Sequence, residues 1–290
     1  MPNLKEIRAR INSVASTEKI TNAMKMVAAA KLKKSESLTT GFLPYRDKLS
    51  EALSNYLSSL EEKVEIPLAE RREPKRVAIV AFASSSGLCG VYNANVSKLL
   101  RNTYKQYAAQ VGPDHIVLHL FGKKINEYAK KVGLPQVHIH PGLGESMSYA
   151  DAASLSDTMV EQFLQGELDA VVMVYNHFKN AGVQTPVTET VLPLATDTLA
   201  PGKSYDYIVE PSKEEFLGEL VPKVIRTRFY SIMLDALTAE HGARMTAMHI
   251  ANDNANTLLQ ELTTQYNKAR QNVITNELID IVGGAEALNK

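Results

Sequence analysis

The chain has 290 residues, 44% of them hydrophobic, and its 32 basic and 32 acidic side chains cancel to a net charge of zero. That length and apolar content suit one or two soluble domains, and exclude a disordered chain or a generic polyanion binder. A single cysteine, Cys89, excludes an internal disulfide and suits a reducing compartment.

The first segment, Asn3 to Thr40, contains neither glycine nor proline. Apolar residues fall at Leu4, Ile7, Ile11 and Val14, then at Ile20, Met24 and Val27, and steps of three and four describe one face of a helix. Thr17 interrupts a strict heptad. Residues 1–36 hold eight Lys or Arg against Glu6, Glu18 and Glu36, a local charge of +5. Such a face is either solvated or gripped by an acidic partner. Residues 1–41 contain no aromatic residue, so no stacking platform for nucleic acid accompanies the charge. The charged start at Met1–Arg10 leads into no apolar stretch, so no signal peptide is expected, and Glu6 and Glu18 argue against a transit peptide. Residues 1–60 read as an N-terminal shaft helix, and residues 61–75, charged and containing Pro67, as a linker.

Between Arg76 and Pro222 the chain changes character, for 11 of its 15 glycines lie there. The β-branched runs Val77–Phe82, Ile116–Phe121, Val137–Ile139 and Val171–Tyr175 predict strands. Helical patterns separate them at Ala94–Ala109, Lys123–Lys131 and Ser154–Leu164. This alternation predicts a Rossmann-like α/β domain over 76–210, with a mostly parallel sheet. Asn180-Ala181-Gly182 reads as a turn, with Val183–Leu192 returning antiparallel. Ser212 and Glu215 then form a capping-box pattern before the last segment.

Residues 211–290 form the longest helical pattern. From Pro222 to Val282 only Gly242 interrupts it, giving roughly 60 residues and about 90 Å. Asp253, Glu261, Lys268, Arg270, Glu277 and Asp280 break any apolar run far below the length of a membrane span. A coiled-coil rod remains. Ala251, Ala255, Leu258, Leu262, Tyr266, Ala269 and Val273 make a seam suited to Ile11 and Val14, with alanines permitting close approach. The first and last segments are therefore expected to pair as an antiparallel coiled coil.

The search for chemistry is mostly negative. Ser84-Ser85-Ser86-Gly87-Leu88-Cys89-Gly90 follows the first strand, where a phosphate loop would sit, yet it lacks the G-x-G-x-x-G spacing. No Gly-Lys-Ser/Thr triplet occurs. Cys89 reads as buried packing rather than a nucleophile. His138 and His140 share one side of a short strand, without Cys, Asp or Glu at ligand spacing, and His115 and His119 flank another; surface roles are expected for all four. No catalytic, cofactor-binding or metal-binding residue is expected. Two readings remain beside a shaft: a nucleotide-binding doubly wound enzyme, and a basic coiled-coil adaptor for nucleic acid.

The segment Ile274-Thr275-Asn276-Glu277-Leu278-Ile279-Asp280-Ile281-Val282-Gly283-Gly284-Ala285-Glu286-Ala287 resembles the C-terminal signature of the gamma subunit of F-type ATP synthase, bacterial type. Tyr266-Asn267-Lys268-Ala269-Arg270-Gln271 fits the same family. So do Ile7–Ile11, Thr17–Thr21, Ala23–Ala29 and Gly87-Leu88-Cys89-Gly90 with Asn93. The resemblance spans the chain. It implies a central rotor shaft, itself non-catalytic, that couples transmembrane proton flow to ATP synthesis on the beta subunits by turning inside the alpha–beta hexamer. It further implies that Met24, Lys25, Arg270, Gln271 and Thr275 meet the catalytic subunits. Residues 203–210, with Tyr205 and Tyr207, would form the foot near the epsilon subunit and the membrane c-ring. No cofactor, nucleic acid or disulfide partner is implied, and the implied location is the cytoplasmic face of a bacterial plasma membrane, peripherally bound. Where family members have an acidic-basic pair before Gly-Leu-Cys-Gly and a glycine after it, this chain has Ser85-Ser86 and Val91. The two-cysteine insertion of chloroplast relatives is missing, so thiol switching of rotation is not expected.

Overall fold

Val77–Phe82 (β1) is apolar at all six positions and buried at every one. A strand that is apolar on both faces must be covered on both, which places it inside a parallel sheet. In the computed structural model, which describes residues 4–60, 65–135, 137–140, 148–195, 207, 209–210 and 212–288, β1 lies between β2 (Ile116–Phe121) and β4 (Ala170–Asn180), parallel to both. β3 (Val137–His140) adds outside β2 in parallel, and β5 (Val183–Leu192) returns antiparallel to β4, giving the order β3-β2-β1-β4-β5. The Asp169 carboxylate accepts from the backbone N–H groups of Lys75 and Arg76, at 2.9 and 3.0 Å, and so fixes where β1 begins.

On one face, Val77, Ile79, Ala81, Leu118 and Leu120 pack with α2 (Tyr92–Val111) and α3 (Lys123–Val132), through Val96, Leu100, Ile125 and Ala129. On the other, Ala78, Val80, Phe82 and Met173 meet α4 (Tyr149–Leu164), through Met159 and Phe163. That second core also contains Leu53 and Tyr56 of the first helix, α1 (Leu4–Ser59), and Val221, Ile225 and Phe229 of the last, α5 (Lys213–Leu288). The terminal helices are thus part of the domain's own core. Gly122 sits where two strand ends nearly touch: its φ is +101°, and a Cβ there would lie 2.0 Å from the carbonyl oxygen of Ala83.

β4 runs longer than its β-branched stretch, and α1 and α5 hold through their local helix breakers. β4 continues to Asn180 because β5 pairs with it along that length. α1 continues through Gly41 and Pro44 to Ser59, since burial of Leu53 and Tyr56 outweighs the local helix-breaking cost. Gly242 does not interrupt α5 either: a Cβ there would come within 2.9 Å of the Phe178 ring, so the glycine serves close packing against β4.

Two compact units are distinguished: Met1–Val27 with Met245–Lys290, and Ala28–Arg244. Within the second, α1 and α5 run antiparallel. Thr39 meets Thr238 at 3.3 Å and Arg46 donates to Ser231 at 3.0 Å, so seven steps forward in one helix match seven back in the other. Within the first unit Asn252, buried to 6% exposure, donates to the backbone carbonyl and to Oε1 of Glu18, both at 3.1 Å. A polar pair inside a coiled-coil seam fixes register at some cost in stability.

The seam in the first unit differs from the expected one on α1. Ile7 and Thr21 are buried and Ile11, Val14, Glu18, Met24 and Lys25 are half-buried, whereas Ile20 and Val27 are 60% and 58% exposed. The strict alternation of four and three through positions 7, 11, 14, 18, 21 and 25 wins over local apolarity, because only that spacing keeps one stripe on the partner helix. On α5, Ala255 and Leu262 are buried and Ala251, Leu258, Tyr266 and Ala269 half-buried. Val273 is 40% exposed and is not a seam residue. Counting from the Glu18–Asn252 contact, Leu4 falls opposite about residue 266, so α1 does not reach Val273.

With Ala255 only 7% exposed, Ala255→Leu is expected to overpack the seam and destabilise the chain by roughly 1–3 kcal/mol. The check is thermal unfolding of the purified chain; an unchanged melting temperature would place Ala255 outside the packed seam.

Candidate functional site

In open parallel sheets, ligands bind beyond the carboxyl ends of the strands, where strand order reverses. Here that point lies beside β1 and β4, and α5 occupies it. Met233, Ala236, Leu237 and Glu240 line, with Phe82, Ala83, Tyr92 and Phe121, a residual cavity of only about 20 Å³. The Tyr92 hydroxyl donates to the Ala236 carbonyl at 2.9 Å, and Asn176 Nδ2 donates to the Tyr92 carbonyl at 3.1 Å. Burial first, then the nearby Glu240 carboxylate, raises the Tyr92 pKa well above the ordinary phenol value, so it stays a neutral donor. A nucleotide has no room there, and the nucleotide-binding reading of the α/β domain loses its site.

The Ser84–Gly90 turn is held by side chains rather than shaped for a phosphate. Asn93 Oδ1 accepts from the Ser84 N–H and Nδ2 approaches Cys89 Sγ at 3.1 Å, while Ser84 Oγ donates to the Ser86 carbonyl. Cys89 is buried at 2% exposure. Arg244 of α5, paired with the buried Glu240 at 2.7 Å, donates to Ser86 Oγ at 2.8 Å and ties the turn to the helix. Leu88 (φ +62°) and Val91 stand 63% and 69% exposed at its tip. The Arg244 contact is one that sequence reasoning missed, because 158 residues separate the partners.

His241, one turn from Arg244, is 6% exposed, and among the described residues its Nδ1 has no hydrogen-bond partner. Burial first, then Arg244 and Lys31, lower its pKa to about 4. A histidine whose folded pKa lies below the unfolded value near 6.5 contributes stability that is complete above about 6.5 and is lost as pH falls towards 4. His119, likewise lowered to about 4 by burial and neighbouring histidines, acts in the same window. Urea unfolding between pH 7.5 and 4.5 is therefore expected to show a slope that His241→Gln reduces without abolishing; an identical slope would remove His241 from the acid response.

In the first unit, the predicted contact residues Arg270, Gln271 and Thr275 are all exposed on α5, with Thr275 Oγ1 donating to the Gln271 carbonyl at 2.9 Å. They stand past the point where α1 ends, on a helix whose residues 270–285 are exposed throughout. Ile274, Leu278, Ile279, Ile281 and Val282 are 43%, 58%, 62%, 67% and 59% exposed. Met24 and Lys25 are half-buried beside the exposed Ile20, Met26 and Val27. The structure does not gather the two sets into one cluster: by the count from the Glu18–Asn252 contact, Lys25 falls opposite about residue 245. They are separate stations on one rod. In the second unit, Tyr207 is 42% exposed with its ring 6.0 Å from that of Tyr56, while Tyr205 lies outside the described residues. Among the described residues no helix is long and apolar enough to cross a membrane.

A two-helix coiled coil joined to an α/β domain whose ligand crevice is filled by its own helix defines a mechanical element rather than a nucleotide enzyme. Comparison with known proteins agrees. The ATP synthase family model described as "ATP synthase" matches residues 3–288. The ATP synthase gamma chain of Bacteroides fragilis is 47% identical, over 99% of this chain and 100% of its own length. That of Flavobacterium johnsoniae is 46% identical over the whole of both chains. Among solved structures, a chain of the Euglena gracilis mitochondrial ATP synthase, OSCP/F1/c-ring assembly, superposes with a TM-score of 0.65 at 20% identity, covering 98% of this chain and 94% of that one. A chain of the Tetrahymena thermophila mitochondrial ATP synthase central stalk/c-ring gives 0.58 at 23% identity, over 80% of this chain and 99% of that one. The chain belongs to the ATP synthase gamma chain family.

Proposed function

We propose that this chain is the central rotor shaft of an F-type ATP synthase of bacterial type, a non-catalytic subunit that couples transmembrane proton flow to ATP synthesis on the beta subunits by turning inside the alpha–beta hexamer. The full-length identity to gamma chains supports the class. The observation that carries the mechanism is the run of α5 beyond α1: a helix that no other described helix covers, with Ile274, Leu278, Ile281 and Val282 exposed along one stripe. Such a surface is unfavourable in water and favourable inside a sleeve of other chains.

In this reading residues 1–60 and 211–290 form the shaft, residues 61–75 link, and residues 76–210 stand outside the hexamer as the α/β domain. The exposed cations Arg8, Arg10 and Lys19 of α1 face acidic segments of the catalytic subunits, as do Met24 and Lys25. Tyr205 and Tyr207 belong to the foot that meets the epsilon subunit and the c-ring. The complex is peripheral, on the cytoplasmic face of the plasma membrane, and nucleic acid is not a partner.

Arg270 and Gln271 are the residues through which torque is best tested. A guanidinium offers five donors in a fixed fork to carboxylates or carbonyls of a surrounding subunit, and such charge-assisted bonds are worth on the order of 1.5–3 kcal/mol. Because both side chains are exposed on a segment that no described helix covers, their removal is expected to leave the fold intact. Arg270→Ala with Gln271→Ala is expected to assemble normally and to lower steady-state ATP turnover and proton pumping roughly tenfold or more. ATPase rate per purified complex, with subunit content measured on the same sample, is the check. Wild-type turnover in a fully assembled double variant would remove these residues from the mechanism.

A further inference from the structure

Three histidines that the sequence scatters over 22 positions come together on one face of β2 and β3. His119 lies in register with His138, and His140 stands two residues further along the same strand. Alternation in a strand puts 138 and 140 on one side, and parallel pairing puts 119 beside them. The His119 Nδ1 and His140 Nε2 atoms are 3.2 Å apart, with ring centroids 5.4 Å apart and planes within 20°. The centroids are farther apart than the nitrogens, so the two rings meet nitrogen to nitrogen, edge to edge. The His140 ring is backed by Phe121 at 4.4 Å, and the His119 ring by His138 at 5.0 Å.

We propose that His119 and His140 form a two-imidazole seat for a first-row transition-metal dication, with zinc as the reference ion. Two imidazole nitrogens held by one tetrahedral zinc, at about 2.0–2.1 Å each, lie about 3.3 Å from one another. The observed separation already matches, and the ion takes the place of the hydrogen shared between the rings, which moves to the other nitrogen of the donor ring so that both imidazoles stay neutral. The broad χ2 wells of histidine allow the small swing that turns both nitrogens onto one point. Metal ligation needs neutral imidazole, and burial, with the neighbouring histidines, holds the His119 and His140 pKa values below the ordinary range. A cavity of about 610 Å³, lined among others by Arg76, His115, His119, His138 and Glu167, opens beside His119 and admits the ion with its remaining water ligands. Among the described residues no three metal-binding side chains already converge on one point, so water completes the coordination. Across β2 and β3 the ion would clasp the edge strand to the sheet.

The test is titration of the full-length chain, made without a histidine tag, with zinc chloride at pH 7.5, followed by calorimetry and by the ring resonances of the histidines. One-to-one binding with a dissociation constant below about 100 µM is expected, with the His119 and His140 resonances shifting first. His140→Gln, at a partly exposed edge position, should weaken binding at least tenfold, and His177→Gln, on the distant end of β4, should leave it unchanged. No saturable binding by the wild-type chain overturns the proposal. So does zinc that shifts only other histidines, a result readable in the wild type even if His140→Gln fails to fold.

Discussion

Phe82, Ala83 and Phe121 end β1 and β2 in a crevice that the same chain then closes, because Met233, Ala236, Leu237 and Glu240 of α5 lie in it. This contact governs the molecule. A helix seated in the crevice cannot be exchanged for a ligand, so the α/β domain and the segment of α5 between Leu217 and Ala236 share one hydrophobic core. Burial of Phe229, Ile225 and Met233, at about 1.5–3 kcal/mol for each large apolar side chain, makes that segment part of the sheet's stability rather than an appendage to it. Where nucleotide enzymes of this topology keep a polar loop and a space, this chain keeps Arg244 on Ser86 and leaves almost none.

The terminal helices solve a different problem along the rest of their length. In the first unit they carry Glu18, Thr21, Lys25 and Asn252 at seam positions, a polar stretch within an otherwise apolar stripe. A seam of leucine and isoleucine alone would bind more tightly and slip more easily by a turn. Asn252, whose amide donates to the backbone carbonyl and to Oε1 of Glu18, is satisfied in one register only. Stability is given up for alignment, which is what a part whose surface residues must stand at fixed heights requires.

Where sequence and structure part company, the reason is sequence separation or competition between levels. The strands Val77–Phe82, Ile116–Phe121 and Val183–Leu192 were visible to the residue because β-branched runs bounded by glycine and proline have few alternatives. On α1 apolarity alone points to Ile20 and Val27 as seam residues, whereas the half-buried Glu18 and Lys25 take the seam beside them. The information was present: positions 7, 11, 14, 18, 21, 25, 28, 32, 35 and 39 alternate by four and three without a break, and five of them, Ile7, Thr21, Ala28, Leu32 and Ser35, are buried. Val273 was misassigned for a geometric reason, because nothing in its local pattern tells where the partner helix stops. The Arg244–Ser86 tie and the approach of His119 to His140 depend on the fold placing distant segments side by side, which no local spacing encodes.

The end of α5 shows why such a chain is read best as part of a larger body. A helix in water is held mostly by the apolar face it buries, since nucleation is costly and propensity weak. Residues 270–285 bury no face, and Gly283 and Gly284 lower their propensity further. Ile274, Leu278, Ile281 and Val282 in this segment are spaced by four, three and one, so they line one exposed stripe about 100° wide, with Ile279 at its margin. An exposed apolar stripe backed by a polar face calls for a covering surface from outside the chain, and gives the helix sides that differ. The polar residues among them, Arg270, Gln271, Thr275, Glu277 and Asp280, give that surrounding surface directional contacts to recognise, so each angular position of the helix presents a different face. A rod with that property is able to impose different contacts on identical neighbours, which is the physical requirement for converting rotation into a sequence of distinct states.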